Sequence, residues 1–193
     1  TIKMNNRKIL LALAQVCGGE DKLIDLTIAI DKLDKIGWEK VQEELSAKGF
    51  NEVQQKTIHT YLTISGTNQE KLTKLAQLLA GNKSANKGIE EINFVLNYHQ
   101  ATGMSQFVEA DFTLARGLNY YTGIIFEVKA NDAQMGSIGG GGRYDDLTGL
   151  FGVNNVPGVG ISFGVDRIFD VLEEKQLFPT TIEAGTQVLF FNL

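Results

Sequence analysis

A chain of 193 residues with 43% hydrophobic and 21% charged residues can bury one good core, or one core and a smaller satellite unit. Its formal net charge of −5 argues against a protein that grips nucleic acid by bulk charge, although a local basic patch is compatible with it. No apolar run approaches the roughly 20 residues that span a bilayer, so we expect no membrane partner. The single cysteine, Cys17, cannot form an internal disulfide, which favours the reducing cytoplasm. With only two histidines beside it, we expect no metal site.

The two ends of the sequence are informative. It opens on Thr1 without an initiator Met, and residues 187–193 form an apolar, strand-like run with nothing after it to pair with. We therefore expect the sequence to be a piece of a longer polypeptide.

The first part of the chain predicts helices. Residues 5–13 predict a helix that packs on a sheet, and apolar residues recur at three- and four-residue steps between residues 23 and 103. Glycines after these stretches, such as Gly49 and Gly81, are typical of left-handed helix stops. Asn68 suits the N-cap of the helix that Gly81 closes. Several short amphipathic helices of this kind predict a small all-helical unit.

The pattern changes to strands from about residue 107. Residues 112–115 alternate, residues 124–128 are β-branched and aromatic, and residues 159–163 suit a strand with glycines on one face. Their short connections favour an antiparallel sheet over strand–helix–strand units. Apolar residues on one face of the segment 165–172 predict a helix after the last strand. The helical unit thus interrupts a sheet domain.

Three segments carry residues that a core strand does not need. The first is ARGLNYYTGIIFE, residues 115–127, which contains Arg116, Tyr120 and Tyr121. The planar guanidinium suits a carboxylate or a phosphate, and each tyrosine offers an apolar face with a polar tip. Consecutive tyrosines of an alternating strand point to opposite faces, so we expect only one of them to face the same cavity as Arg116. The alternative is a salt-bridged arginine at a strand end, with two half-buried tyrosines.

The second segment is IGGGGRYDDL, residues 138–147, with four consecutive glycines at its centre. Glycine within a strand often marks a place where another group approaches the backbone closely. Four in a row predict a patch without side chains, about the size of a small metabolite. The alternative is a flexible hairpin loop, but the flanking residues suit an ordered strand. No Gly-Lys-Ser/Thr follows, so this is not a phosphate-binding P-loop.

The third segment is PGVGISFGVDR, residues 157–167. Its alternating glycines open one face of a strand, and Gly164 leads directly into a helix whose first turn carries Arg167. A helix N-terminus favours anions, and a guanidinium there strengthens a phosphate site. The alternative is that Asp166 caps the helix and Arg167 pairs with a neighbouring acid. The glycine face favours a nucleotide stacked against the backbone.

Together these segments resemble the histidyl-tRNA synthetases, a family of class II aminoacyl-tRNA synthetases. The runs RGLNYYTG and GGRYD resemble the two histidine-specific signatures of the family, and GVGISFGVDR resembles motif 3 of class II synthetases. The runs NNRKIL and DKLDKIG near the start also resemble stretches of these enzymes. Asn119 stands where the family often has Asp, and Asp146 where Gly is frequent. The implied fold is α+β, part of the class II antiparallel sheet with an inserted all-helical domain.

The resemblance implies that histidine and ATP form histidyl-adenylate and that histidine is then transferred to its tRNA. Arg116 would act in catalysis, because it would contact both the α-phosphate and the carboxylate of histidine. Tyr121 would hydrogen-bond the imidazole, with Tyr120 in the pocket wall and Tyr144 beside it. The floor of the histidine pocket would be formed by Gly139, Gly140, Gly141 and Gly142.

For ATP, the resemblance implies that Arg167 holds the γ-phosphate and that Gly160 and Gly164 let the adenine and ribose approach the sheet. Mg²⁺ would accompany ATP as part of the substrate complex. The full-length protein would be a homodimer.

The resemblance also implies domain limits. Residues 1–22 would begin the catalytic domain in this chain, residues 23–103 would be a helical insertion that closes over the acceptor stem of the tRNA, and residues 104–180 would carry the sheet with motif 3. Residues 181–193 would be a linker and the start of an anticodon-binding domain. Motifs 1 and 2 are absent from the sequence, so we expect the chain to be inactive by itself.

Two alternatives stay open. One is the catalytically inert paralogue of this family, which regulates ATP phosphoribosyltransferase in histidine biosynthesis; both phosphate-binding arginines and the long helical insertion favour the synthetase over it. The other is an RNA-binding or scaffold module built on the helices, which the acidic composition disfavours.

Overall fold

The structure is a computed structural model that describes residues 1–115, 120–179 and 181. Arg116 and the strand-like run 187–193 lie outside these residues. The described chain forms seven helices and five strands, in the order β1 (Ile2–Asn6), α1 (Arg7–Val16), α2 (Leu23–Asp31), α3 (Leu33–Ala47), α4 (Glu52–Leu62), α5 (Asn68–Leu78), α6 (Lys83–Ala101), β2 (Val108–Ala110), β3 (Ile124–Val128), β4 (Gly139–Tyr144), β5 (Gly158–Phe163) and α7 (Val165–Glu174).

The five strands form one mixed sheet in the order β2-β1-β3-β4-β5. β1 pairs antiparallel with β3, and β3, β4 and β5 pair antiparallel in succession. β1 and β2, however, run parallel, so the prediction of a purely antiparallel sheet is wrong for this edge. The parallel pair arises because all of α1 to α6 lies between the two strands, and parallel strands need such a long crossover.

A strand that the sequence analysis missed opens the chain. Residues 5–13 predicted a helix, but the helix begins at Arg7, because Asn5 and Asn6 pair with β3 as the end of β1. The side chain of Asn6 then caps the helix, with its Oδ1 accepting a hydrogen bond from the backbone N–H of Lys8 at 3.0 Å. Asn6 is therefore both the last strand residue and the helix cap.

The segment 112–115, predicted as a strand, is a turn that follows β2. The Oδ1 atom of Asp111 accepts hydrogen bonds from the backbone N–H of Thr113 at 3.0 Å and from its hydroxyl at 2.6 Å. The backbone N–H of Leu114 donates to the carbonyl of Asp111 at 3.2 Å. These local hydrogen bonds take the place of strand pairing. Asp and Thr side chains commonly form such bonds with nearby backbone groups in turns.

The helical segment begins and ends its helices mostly as predicted. Gly49, Gly81 and Gly103 have φ values of 80°, 80° and 74°, which confirms them as left-handed positions after helices. The predicted N-cap of α5 is wrong by one residue, because Thr67 forms the capping box with Glu70.

Asn68, freed from capping, holds the edge strand β2. Its Nδ2 donates to the carbonyl of Val108 at 2.9 Å, and its Oδ1 accepts from the backbone N–H of Ala110 at 2.9 Å. The side chain thus satisfies two groups at an edge of β2 where the described residues supply no neighbouring strand.

One continuous core joins the helices to the sheet. α1 crosses α6 closely at Gly88, where a Cβ atom would lie 2.7 Å from Cγ1 of Ile9. On the sheet side, Tyr61 of α4 is fully buried, and its ring centroid lies 5.6 Å from that of Phe112. Residues inside and outside the predicted insertion at 23–103 therefore share one core. The division of the chain into a catalytic part and an insertion stays a prediction.

A buried polar link connects the same helices to the turn after β2. The Nδ2 atom of Asn5 donates to the carbonyl of Leu114 at 2.8 Å and to the hydroxyl of Tyr61 at 3.2 Å. Asn5 and Tyr61 are both 0% exposed, so each bond is made in a medium where an unpaired polar group would be costly. The chain that enters residue 116 is thereby tied to β1 and to α4.

The outer face of β5 is apolar and open. Val159, Ile161 and Phe163 alternate along this edge strand and are 72%, 53% and 61% exposed. Contiguous exposed apolar side chains of this kind mark surfaces for contact with protein or ligand. Among the described residues, no helix is long and apolar enough to cross a membrane.

Candidate active site on the glycine strands

The four glycines of β4 do not form one floor, because side-chain positions of a strand alternate between its two faces. Gly140 and Gly142 share a face with Tyr144, whereas Gly139 and Gly141 belong to the opposite face. In the register of the sheet, Gly142 stands opposite Gly160 of β5 and Tyr144 stands opposite Gly158, which brings more glycine to the tyrosine face. The sequence predicted a floor of four consecutive glycines. In the structure, the floor on the tyrosine face consists instead of glycines from both β4 and β5.

Three tyrosines meet at one end of this patch. The ring centroid of Tyr120 lies 4.7 Å from that of Tyr121 and 6.0 Å from that of Tyr144. The expectation that Tyr120 and Tyr121 point to opposite faces is wrong. The alternation rule does not apply to them, because β3 begins only at Ile124 and both residues lie in the turn before it.

The tyrosine rings leave no room for side chains at the backbone positions that they cover. A Cβ atom on Gly142 would lie 2.8 Å from Cδ1 of Tyr121, and one on Gly160 would lie 3.3 Å from Cε1 of Tyr144. A Cβ atom on Gly158 would overlap the Tyr144 ring outright. The glycines therefore serve first to seat these rings against the backbone, and the open part of the floor lies beyond them, at Gly140.

Burial raises the pKa of Tyr121 to about 12, and the hydroxyl of Tyr120 and the charge of an ionised Tyr120 or Tyr144 act in the same direction. The phenol is therefore neutral at pH 7. A neutral phenol can donate one hydrogen bond and accept others, which suits either nitrogen of an imidazole ring.

Arg167 lies at the other end of the glycine strands. Its Nη1 atom donates to the carbonyl of Ser137 at 2.7 Å, and a Cβ atom on Gly136 would lie 3.7 Å from it. The register runs from Gly142 at the tyrosine end to Gly139 at this end, a separation of about 10 Å along the strand. Because the guanidinium is exposed and is held, among the described residues, by one neutral carbonyl, an anion could exchange for that partner.

The helix that carries Arg167 begins without a side-chain cap. Gly164 occupies the N-cap of α7, and no side chain of the first turn caps it, so the alternative in which Asp166 is the cap is wrong. The N-cap backbone is held instead by a bond from its N–H to the carbonyl of Ile138 at 2.9 Å. The first N–H groups of α7 are therefore available to an anion.

Glu127 is a candidate site residue that the sequence analysis missed. It stands opposite Gly140, so it shares the tyrosine face of the sheet, and it is only 7% exposed. Its Oε2 atom lies 3.7 Å from Nζ of Lys129. The signal was present in the sequence, because residues 124–128 read as a buried apolar strand with one carboxylate.

A small pocket of about 200 Å³ adjoins Glu127 and is lined by the turn after β2, by Gly136 and Ser137, and by residues of α2 and α3. Within it, Asp111 forms an ion pair with Lys3, at 2.5 Å between Oδ2 and Nζ. Burial by itself would raise the pKa of the Asp111 carboxyl, but the hydrogen bonds from Lys3 and Thr113 outweigh it, and the pKa is lowered. Asp111 is therefore ionised at pH 7 and anchors the turn that leads to residue 116.

Cys17 is a buried packing residue, and His59 packs against an aromatic ring. Cys17 is 1% exposed, and burial raises the pKa of its thiol to about 11, which makes it a poor nucleophile. The ring of His59 lies 4.5 Å from that of Trp38. In the part of the chain that the structure describes, no three His, Cys, Asp or Glu residues are grouped so that they could hold a metal ion.

Comparison with known proteins decides the family. The family model described as "Histidyl-tRNA synthetase" matches residues 1–168. The histidine–tRNA ligases of Bacteroides fragilis strain YCH46 and of Flavobacterium johnsoniae are 55% and 53% identical to the chain over 99% and 100% of its length. The chain belongs to the histidyl-tRNA synthetase family. It spans 42% and 41% of the length of these two relatives.

Solved structures confirm the class II synthetase fold. The crystal structure of histidyl-tRNA synthetase from Nostoc sp. PCC 7120 superposes with a TM-score of 0.84 at 34% identity, over 93% of this chain and 43% of that one. A protein from Bacillus halodurans described as an ATP phosphoribosyltransferase regulatory subunit/histidyl-tRNA synthetase matches with a TM-score of 0.73 at 20% identity, over 90% of this chain and 43% of that one. The second likeness shows the shared fold alone, and the relatives above 50% identity favour the synthetase over the regulator.

In this member of the histidyl-tRNA synthetase family, Gly142→Ala tests the contact between the tyrosines and the floor. We expect the new methyl group to displace Tyr121 and press on the carbonyl of Ile124, 2.7 Å away, which should lower the free energy of unfolding by roughly 1–3 kcal/mol. Gly164→Ala is the matched control, because its φ is −82° and its Cβ would meet nothing closer than 3.5 Å. Urea unfolding of both variants measures the difference, and equal losses of stability would refute the close contact.

Asp111→Asn tests the charge at the turn. A carboxyl whose pKa is lowered on folding stabilises the protein at pH values above its unfolded pKa of about 3.9 and loses that contribution as the pH falls through its folded pKa. We therefore expect the variant to be about 2 kcal/mol less stable at pH 7 and the gap to close below about pH 4.

Urea unfolding across this pH range is the measurement for Asp111→Asn. Asp25→Asn serves as the control, because Asp25 pairs with Lys48 on the exposed surface, where such pairs contribute little. A gap between wild type and Asp111→Asn that is independent of pH would contradict the role of charge.

Proposed function

We propose that the chain supplies part of the catalytic centre of an enzyme that attaches histidine to its tRNA through histidyl-adenylate, in the cytoplasm. One observation carries the proposal: the tyrosine cluster and Arg167 lie at opposite ends of the same glycine strands, where Gly142 and Gly139 are about 10 Å apart. That spacing suits a ligand with a ring at one end and a phosphate at the other.

The tyrosine end is the proposed histidine pocket. The hydroxyl of Tyr121 bonds an imidazole nitrogen, while Tyr120 and Tyr144 form the wall. Gly140 offers the open floor, where only backbone atoms would meet an added Cβ, and the carboxylate of Glu127 borders it. A pocket that pairs the polar atoms of histidine excludes analogues without them, because its own buried groups would then be left unpaired.

The Arg167 end is the proposed ATP site. Arg167 exchanges its bond to the Ser137 carbonyl for a bond to the γ-phosphate, which is stronger because both partners are charged. Gly160 and Gly164 allow adenine and ribose to approach the sheet, and Mg²⁺ enters with ATP. Arg116, the proposed partner of the α-phosphate, lies outside the described residues.

Partners beyond the small molecules follow from the same proposal. The helices between β1 and β2 form the surface proposed to meet the acceptor stem of the tRNA. The exposed row Val159, Ile161 and Phe163 is apolar surface that a larger polypeptide or a homodimer could cover.

Histidine titration by calorimetry tests the pocket. We expect the chain to bind histidine and Tyr121→Phe to weaken that binding about tenfold, the effect of one lost hydrogen bond in a partly buried site. Tyr98→Phe is the control, because Tyr98 is 64% exposed on α6. A chain that binds no histidine, or in which both variants bind equally well, would contradict the proposed pocket.

ATP–pyrophosphate exchange with histidine tests whether this chain is sufficient. We expect no exchange above background, because the motif 2 arginine that the family resemblance requires at the α-phosphate is absent from the sequence. The histidine–tRNA ligase of Bacteroides fragilis, 55% identical, is a suitable positive control. Robust exchange by the isolated chain would refute the expectation.

A further inference from the structure

A basic cleft of about 530 Å³ opens beside Tyr121, between the first turns of α1 and α6. Four of its nine lining residues are cationic and none is acidic: Arg7, Lys8, Lys83 and Lys87. On a chain with a net charge of −5, such a concentration of positive charge is a local feature that needs a cause. Neither the proposed histidine pocket nor the proposed ATP site uses these residues.

Arg7 is the most unusual member of this basic cleft. It is the first residue of α1, its backbone N–H donates to the carbonyl of Gly123 at 2.9 Å, and it is only 7% exposed. Its guanidinium makes no hydrogen bond or ion pair with any described residue, and burial alone lowers its pKa. A buried cation without a partner is unfavourable, so the side chain calls for an anion from outside the described chain.

The pairing of the three lysines of the cleft indicates where that anion would lie. Lys8 pairs with Glu91 at 2.7 Å and Lys87 pairs with Glu90 at 2.9 Å, so these two lysines are already neutralised. Lys83 has no such partner among the described residues. Arg7 and Lys83 therefore carry the uncompensated charge of the cleft.

The start of α6 adds to this field. Asn82 caps the helix by accepting a hydrogen bond from the backbone N–H of Ala85, which leaves the N–H groups of Lys83 and Ser84 without a bond inside the helix. These groups and the helix dipole attract an anion, and a helix of 19 residues has a full dipole. The buried guanidinium of Arg7 and the N-terminus of α6 are thus two independent features that favour an anion in the same cleft.

We propose that this cleft binds a backbone phosphate of the single-stranded acceptor end of the tRNA, an inference that rests on the proposed function. Tyr121 is a wall of the cleft and also packs on Gly142 in the proposed histidine pocket, so a strand held in the cleft would lie next to the pocket. The proposed function assigns the γ-phosphate of ATP to Arg167 and its α-phosphate to Arg116, and it assigns neither phosphate to Arg7 or Lys83. We therefore assign the anion of the cleft to the other phosphate-bearing substrate.

Fluorescence anisotropy with a labelled histidine tRNA transcript, measured over a series of salt concentrations, tests the proposal. Lys83→Glu and Arg7→Met are the test variants, and Lys175→Glu is the matched control, because Lys175 lies at the end of α7, outside the helices proposed to meet the tRNA, and does not line the cleft. We expect Lys83→Glu to weaken tRNA binding about tenfold and to lower the slope of log affinity against log salt by about 1, whereas Lys175→Glu changes affinity less than about twofold.

Lys83→Glu keeps the test decisive if Arg7→Met fails to fold, because Lys83 is exposed and its replacement disturbs no core. Equal tRNA affinities for Lys83→Glu and Lys175→Glu would overturn the proposal, as would a wild-type chain that does not bind the tRNA at low salt. Parallel titrations with ATP and with inorganic phosphate separate the sources of the anion. A variant that loses ATP affinity but keeps tRNA affinity would also overturn it.

The histidine titration separates this inference from the proposed function. A wild-type chain that binds tRNA through Lys83 but binds no histidine supports the cleft and contradicts the pocket. A chain that binds histidine while Lys83→Glu binds tRNA as well as wild type contradicts the cleft alone.

Discussion

Aromatic rings packed on glycine backbone hold the candidate site in its shape. Tyr121 lies against Gly142, and Tyr144 lies against Gly158 and Gly160, so three backbone positions on two strands each lose the room for a side chain. In return, the rings acquire a rigid seat, and their hydroxyls take fixed positions relative to β4. The separation from Arg167, the placing of Glu127 beside the open floor and the wall shared with the basic cleft all depend on this contact.

Charge is distributed unevenly around that seat. Carboxylates gather on the sheet face beyond Gly140, where Asp111 pairs with Lys3 and Glu127 lies 3.7 Å from Lys129, beside α2 and α3. Cations gather on the other side of Tyr121, at the first turns of α1 and α6. The carboxylates of the first side are balanced by lysines, whereas Arg7 and Lys83 of the second side have no acidic partner among the described residues, so a phosphate is favoured there.

The helices do more than cover the sheet. Asn5 ties α4 to the turn before residue 116, Asn6 caps α1, and Asn68 holds the edge strand β2 from α5. Each bond lies between residues far apart in the chain or at the junction of two elements. Because these amides are buried or partly buried, losing one leaves polar groups unpaired, which couples the helical segment to the geometry of the site.

Features that depend on neighbouring residues in the chain could be predicted from the sequence, and features that depend on residues far apart in the chain could not. The sequence predicted helix stops such as Gly49, the three motif segments and the membership of the family. All of these depend on local spacing and residue order. The parallel pairing of β1 with β2, the division of the four glycines between two faces and the meeting of Tyr120 with Tyr121 were not predicted. Nor was the buried Arg7, which pairs with no described residue and whose surroundings come from α6 and from the turn before β3. These features depend on which distant segment pairs with which, and only tertiary packing decides that register.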